Sequence, residues 1–150
     1  MEATFLPKFP RYVQWPAAAA PEGDVPYQLC VVGRDPFGPL LDRSAAGESI
    51  DGRGVAVRRM PTPESAQGCH IAYVQGGSDD ETAGFLQALH GRPILTVTDA
   101  HAGPQRGMVH FTTAGGRVRF FIDEAAARAH GLQVSSRLLA LAIGVRQRRP

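Results

Sequence analysis

A glycine-containing loop follows the first strongly apolar segment of the chain and has the composition of a possible phosphate site. Residues Leu29–Leu41 (LCVVGRDPFGPLL) predict a buried strand, a turn and a helix, with Asp35 as N-cap and Pro36 at the first helical position. Such turns bind phosphates through free backbone N–H groups. The dinucleotide fingerprint needs G-x-G-x-x-G, however, whereas Gly33 and Gly38 are five apart. Because Pro36 has no N–H and Asp35 would repel a phosphate, the sequence argues against a nucleotide site.

The other residues with catalytic potential also lack a recognisable arrangement. The five histidines show neither the H-E-x-x-H pattern nor the spacing of a zinc finger. His70 falls within a predicted strand, where a hydrogen-bonded structural histidine is the favoured interpretation. Ser135 directly precedes a predicted helix and is interpreted as its cap. We therefore predict no catalytic residue, no metal site, no cofactor and no enzymatic activity.

One polar cluster remains as a candidate ligand pocket. Asp99 and His101 lie at the carboxyl end of a predicted strand, where ligands of α/β proteins collect. Ordinary turn chemistry is the favoured explanation of these residues. If the loops do form a pocket, the residues expected to line it are Arg34, Phe37, Asp99 and His101.

The two cysteines leave two alternatives open. Cys30 lies in the first core strand and Cys69 at the start of the third, and these strands are often neighbours in a doubly wound sheet. A bridge between them is possible, but two buried free thiols of a cytosolic protein fit the spacing equally well. The absence of C-x-x-C argues against a thioredoxin-type enzyme.

Composition and charge exclude several classes of partner. The net charge is +2, and fifteen of the sixteen cationic residues are arginine. This balance does not indicate nucleic-acid binding, because a GC-rich genome also favours arginine. No apolar run of about 18 residues is present, so no membrane insertion is expected. Nor is there a signal-peptide pattern. The protein is therefore either cytoplasmic or exported, with its signal removed from this sequence.

The order of predicted elements indicates the fold class. Apolar strands alternate with helices as far as Thr98, and Ala114-Gly115-Gly116 then predicts a hairpin. The prediction is a three-layer α/β domain with a mostly parallel sheet and a C-terminal antiparallel edge hairpin. We expect one domain over residues 1–150, with an N-terminal helical and loop segment (1–25), an α/β core (26–145) and a basic tail (146–150). Pro7 and Pro10 predict a broken first helix.

The predicted hairpin carries a candidate interaction surface. Phe120 and Phe121 are consecutive, so they must point to opposite faces of the sheet. One can be core, whereas the other needs cover from a helix of this chain, a second subunit or a partner. The predicted interface residues are Phe120, Phe121, Ile122 and Arg128.

Six blocks of the sequence together resemble the YfiR-like family, in the family's order and over nearly the whole chain. They are FLPKFPRYVQWP (5–16), LCVVGRDPFG (29–38), GCHIAYV (68–74), PILTVTD (93–99), VRFFID (118–123) and GLQVSSRLLALA (131–142). The resemblance implies a periplasmic protein with a Rossmann-like fold that tends to dimerise. It also implies a disulfide between Cys30 and Cys69, which resolves the alternatives in favour of the bridge. Some members carry a second cysteine pair, which this chain lacks.

The resemblance further implies a regulatory function. Its best-understood members repress a membrane-bound diguanylate cyclase by binding the periplasmic region of that enzyme, which lowers cyclic di-GMP and biofilm formation. The alternative is a periplasmic small-molecule sensor that feeds another membrane signalling protein. Its ligand would lie at the carboxyl ends of the strands, near residues 33–37, 75–77 and 98–101.

Overall fold

A seven-stranded sheet organises the protein, in a computed structural model that describes residues 2–146. The strands found in these residues are β1 (Val13–Gln14), β2 (Tyr27–Gly33), β3 (Val55–Met60), β4 (Ile71–Gln75), β5 (Leu95–Asp99), β6 (Val109–Ala114), β7 (Arg117–Asp123), β8 (Gln133–Val134) and β9 (Gly144–Arg146). The α-helices in the same range are α1 (Glu2–Phe5), α2 (Pro39–Ala46), α3 (Asp79–Leu89), α4 (Glu124–Ala129) and α5 (Ser136–Leu139). Short 3₁₀ helices cover Leu6–Tyr12, Pro63–Ser65 and Ala100–Ala102.

The main sheet is mostly parallel, as the sequence predicts. Its strand order is β3-β2-β4-β5-β6-β7-β9, and β6 and β7 form its antiparallel hairpin. The first core strand therefore neighbours the third. The hairpin does not form the edge, because β9 pairs in parallel with the outer side of β7. A separate antiparallel pair joins β1 to β8, which attaches the N-terminal segment to the C-terminal part of the chain.

Helices cover both faces of the sheet, which gives three layers. Successive strand residues point to opposite faces. In β2, Leu29 and Val31 join a large apolar cluster with the N-terminal helices, α2 and α4. Cys30 and Val32 join a smaller cluster with residues of α3. The continuous apolar run of β2 is thus explained by burial on both faces.

Two predicted helices differ from those in the structure. The helix expected from Pro36 begins at Pro39 instead, with Gly38 as its N-cap. Asp35 does not cap it: its Oδ1 accepts hydrogen bonds from the N–H groups of Phe37 (2.9 Å) and Gly38 (3.2 Å) and closes the preceding turn. The final leucine-rich helix ends at Leu139, and the chain then enters the unpredicted strand β9.

The N-terminal segment behaves as its prolines predict. After α1 the chain forms a 3₁₀ helix that contains Pro7 and Pro10, because proline cannot donate the hydrogen bonds of an α-helix. This segment buries Phe9, whose ring contacts Phe111 and Phe120. The predicted basic tail lies outside the described residues, except for Arg146, whose backbone completes β9.

Candidate functional site

A buried disulfide links β2 to the segment that leads into β4. Cys30 lies in the middle of β2, and Cys69 lies two residues before β4 begins. Their Cα atoms are 6.0 Å apart, and both side chains are buried. The pairing implied by the resemblance is therefore present. The bridge joins two neighbouring parallel strands near the middle of the sheet, where it also restrains the loop between β3 and β4.

Arg58 holds this loop from the other side. In the register of β2 and β3, Arg58 is the partner of Cys30. Its guanidinium donates to the carbonyl oxygens of Gln67 (3.0 Å) and Ser65 (2.9 Å), and its Nη1 lies 3.9 Å from the Cys69 sulfur. The disulfide thus has a permanent positive charge beside it. No pattern in the sequence indicates this contact, because it depends on the order of the strands.

His70 connects the disulfide region to the N-terminal loop. Its Nδ1 accepts a hydrogen bond from the backbone N–H of Gln28 (2.9 Å), so the proton must be on Nε2, which lies 3.0 Å from the Ala19 carbonyl oxygen. Its ring also contacts Trp15 and Tyr27. Burial lowers the pKa of His70, and nearby Arg53 lowers it further, while the bond to Ala19 opposes both. The structural role predicted for this histidine is confirmed.

A cavity of about 830 Å³ opens beside Cys69 and His70. It lies at the amino ends of β2, β4 and β5, not at the carboxyl ends where the sequence places a ligand. Ala18–Pro21 and Ile94 supply apolar walls, and the charged residues of the lining are Glu22, Arg58 and Arg92. This combination of apolar walls and a few polar groups is typical of small-molecule sites.

At the opposite end of the sheet, an ionic network fixes the predicted phosphate loop. Arg59 donates to Asp35 (2.7 Å) and to Asp42 (2.8 Å), so edge strand β3 is tied to the loop after β2 and to α2. Partial burial opposes ionisation of Asp35, but the bonds from Arg59, Phe37 and Gly38 outweigh it and lower the pKa. The carboxylate of Asp35 thus occupies the backbone donors that a phosphate would need. This geometry agrees with the rejection of a nucleotide site.

The four predicted pocket residues belong to this end of the sheet. The Phe37 ring packs against Tyr73 at 4.7 Å. Asp99 is buried, and its Oδ1 accepts from the backbone N–H of His101, whose side chain is exposed. Arg34 is also exposed, and its backbone N–H donates to the Gln75 carbonyl. A pocket formed by these four residues stays a prediction.

The contact between the carboxyl groups of Glu2 and Asp99 was not expected from the sequence. Glu2 on α1 lies within hydrogen-bonding reach of Asp99, and its Oε1 is buried without a hydrogen-bond partner. Burial raises the pKa of Glu2 to about 8, and the neighbouring Asp99 carboxylate contributes to the shift. Glu2 is therefore mostly protonated at neutral pH. Burial and the same acidic neighbours raise the pKa of Tyr73 as well.

The predicted interface residues divide between core and surface. Phe120 and Ile122 are buried in the large cluster, so they offer no surface to a partner in this conformation. Phe121 faces the other way, is half-buried, and is covered on one side by the guanidinium of Arg106, 4.5 Å from the ring centre. Arg128 is exposed and lies 3.6 Å from Glu124. Of the four predicted interface residues, only Phe121 and Arg128 therefore have side chains that a partner could contact.

Phe121 and Arg106 both line a cavity of about 490 Å³, together with Gly144 and Val145 of β9. Gly144 of β9 lies opposite Phe121 in the register. A side chain at Gly144 would meet the ring, since an added β carbon would lie 2.7 Å from Cδ1. The absence of a side chain at Gly144 thus allows β9 to pair beside the phenylalanine ring.

The comparison with known families agrees with these features. The model of the family described as YfiR/HmsC-like matches residues 1–143. Among residues 2–146, no helix has both the length and the apolar character required to cross a membrane. The buried disulfide fits an oxidising compartment such as the periplasm. The chain belongs to the YfiR/HmsC-like family, a family of periplasmic, non-catalytic regulators of cyclic di-GMP signalling.

Proposed function

We propose that the protein represses a membrane-bound diguanylate cyclase by binding the periplasmic region of that enzyme, and that it acts only while the Cys30–Cys69 bridge is intact. The family match supports a regulator of cyclic di-GMP signalling. The requirement for an intact disulfide is supported by the buried bridge itself, which joins β2 to the loop that Arg58 binds. A repressor of this kind must bind the inactive cyclase more tightly than the active one.

The proposed docking surface is the exposed part of the β6–β7 hairpin and α4. Phe121 offers an aromatic ring that is only partly covered, and Arg128 offers a charge whose side chain is 60% exposed. Aromatic and arginine side chains dominate the binding energy of many interfaces. The same surface is proposed for a homodimer, since a half-covered ring can be buried by either occupant.

Deleting the gene is expected to raise intracellular cyclic di-GMP and biofilm formation, because repression of the cyclase is lost. Complementation should restore the low level only when the protein is exported. The quantity to measure is cyclic di-GMP in cell extracts, by mass spectrometry. Unchanged cyclic di-GMP after deletion would contradict the proposal, as would full complementation by a form retained in the cytoplasm.

The docking surface is tested in the same complementation assay. Phe121→Ala should fail to restore repression although the protein accumulates normally. The matched control is Phe5→Ala, because Phe5 is also a partly exposed phenylalanine but lies on α1, away from the hairpin. Equal repression by both variants would remove the hairpin as the proposed surface.

The cavity beside Cys69 favours a second candidate function, that of a small-molecule sensor. Arg92 is half-buried in its wall, and none of the described acidic side chains forms a salt bridge with it. Two arginines, Arg58 and Arg92, outnumber the one acidic residue of the lining, Glu22, so a small carboxylate or phosphate with an apolar portion fits these walls best. In a thermal-shift screen of such compounds, a ligand should raise the melting temperature of the wild type and not that of Arg92→Gln. Arg117→Gln, on the hairpin turn, is the matched control.

A further inference from the structure

Two histidines that are distant in sequence have their rings in contact. His90 is the C-cap of α3, and His130 is the C-cap of α4. The ring centres are 4.9 Å apart, and the ring planes are nearly perpendicular, at 88°. Metal motifs are recognised by the spacing of residues along the chain, whereas this contact depends on how α3 and α4 pack.

The hydrogen bonds of His130 fix which of its nitrogens is available. Its Nδ1 lies 2.7 Å from the carbonyl oxygen of Ala126, and its backbone N–H also points to that oxygen. A carbonyl oxygen can only accept, so Nδ1 carries the proton and Nε2 keeps its lone pair. Metal-binding histidines are held in this way, with one ring nitrogen bonded to a carbonyl and the other on the metal. His90 is exposed, so its ring can rotate to meet an ion.

The surroundings of the pair combine favourable and unfavourable charges. Both rings line a small cavity of about 140 Å³, together with Asp123 and Arg106. The Asp123 carboxylate accepts a hydrogen bond from the backbone N–H of Ala126, so the lining contains one acidic and one basic side chain besides the histidines. His90 closes an eleven-residue helix, whose carboxyl end carries a partial negative charge that favours a cation.

We propose that His90 and His130 form a binding site for a borderline divalent transition-metal ion, Zn²⁺ or Cu²⁺, with solvent completing the coordination. Imidazole nitrogen is a preferred ligand of both ions. In the described part of the chain, no group of three or more His, Cys, Asp or Glu residues could hold a metal. The site is therefore limited to two protein ligands. A bound ion would join the carboxyl ends of α3 and α4, and this inference does not depend on the proposed repressor function.

The proposal is tested on the full chain without a histidine tag, after removal of metals with EDTA and of EDTA by exchange. Zinc chloride titrated into the protein should bind saturably with one ion per chain in a calorimeter. His90→Gln and His130→Gln should each weaken binding by about tenfold or more. His101→Gln is the matched control, because His101 is an exposed histidine whose Nε2 contacts Thr113 and no second imidazole. It should bind Zn²⁺ as the wild type does.

A second measurement needs no variant and remains valid if one of the substitutions disturbs folding. Substoichiometric Cu²⁺ should broaden the imidazole NMR signals of His90 and His130 before those of His101. Equal broadening of all exposed histidines would overturn the proposal. So would undiminished Zn²⁺ binding by both pair variants, or no saturable binding up to about 1 mM Zn²⁺.

Discussion

Replacing Cys30 and Cys69 together with alanine is expected to lower the free energy of unfolding by roughly 4 kcal/mol and to abolish repression. The two residues are 39 positions apart, so the bridge closes a long loop and lowers the conformational entropy of the unfolded chain. Chemical denaturation followed by circular dichroism measures the loss. Because a domain of this size has about 5–15 kcal/mol of stability in total, the variant should be marginal at growth temperature.

Alanine is the better replacement, because Cys30 is fully buried and a serine hydroxyl there would lack a hydrogen-bond partner. Treating the wild-type protein with reductant breaks the same bridge without changing any other atom, so it should reproduce the loss of stability. The double variant itself should not respond to reductant. A loss below about 1 kcal/mol would show that the fold does not depend on the bridge.

Repression should fail in the double variant for a reason beyond stability. The bridge fixes the loop between β3 and β4 against β2, and Arg58 binds two carbonyl groups of that loop. Without the bridge, those contacts alone must order the loop. Normal repression by a variant that accumulates to the wild-type level would contradict the redox condition in the proposed function, while leaving the repressor function itself intact.

The sequence was sufficient to predict the layers of the fold, because that information is local. Apolar runs such as Val31–Val32 identify buried strands, and Ser135, which the sequence predicts as a helix cap, accepts a hydrogen bond from the backbone N–H of Arg137. The predicted start of α2 was wrong, because Asp35 followed by Pro36 is typical of the beginning of a helix. In the structure the same carboxylate is drawn into a turn that Arg59 holds from another strand.

The features that the sequence did not reveal all depend on long-range pairing. Arg58 meets the disulfide through the register between β2 and β3. Glu2 meets Asp99 because α1 packs over the carboxyl end of the sheet. His90 meets His130 through the packing of two helices. No rule about residue spacing in a single sequence predicts these contacts. Residues that vary together among related sequences would indicate them.

His70→Ala is expected to destabilise the protein by about 3 kcal/mol, the second-largest effect we foresee. The substitution removes two hydrogen bonds, to the Gln28 N–H and the Ala19 carbonyl, and leaves the first of these groups without its partner. It also removes the ring contacts with Trp15 and Tyr27. The free energy of unfolding should be compared with that of His101→Ala, whose exposed ring makes one long contact and should change stability by less than about 0.5 kcal/mol.

Burial of the His70 ring makes the stability dependent on pH in a defined direction. The pKa of His70 is lowered below its ordinary value of 6.5 by burial, so the unfolded chain takes up a proton before the folded protein does. The neutral His70 ring makes its full contribution to the free energy of unfolding above about pH 6.5, and this contribution is lost as the pH falls through the lowered pKa. His110, whose pKa burial and Arg106 also lower, acts in the same direction.

His70→Asn keeps an acceptor for the Gln28 N–H but gains no proton, so its stability should fall less steeply between pH 6.5 and about pH 5 than that of the wild type. Parallel stability curves for the two proteins would show that His70 does not set this acid sensitivity, because a neutral amide cannot reproduce the titration of a buried imidazole.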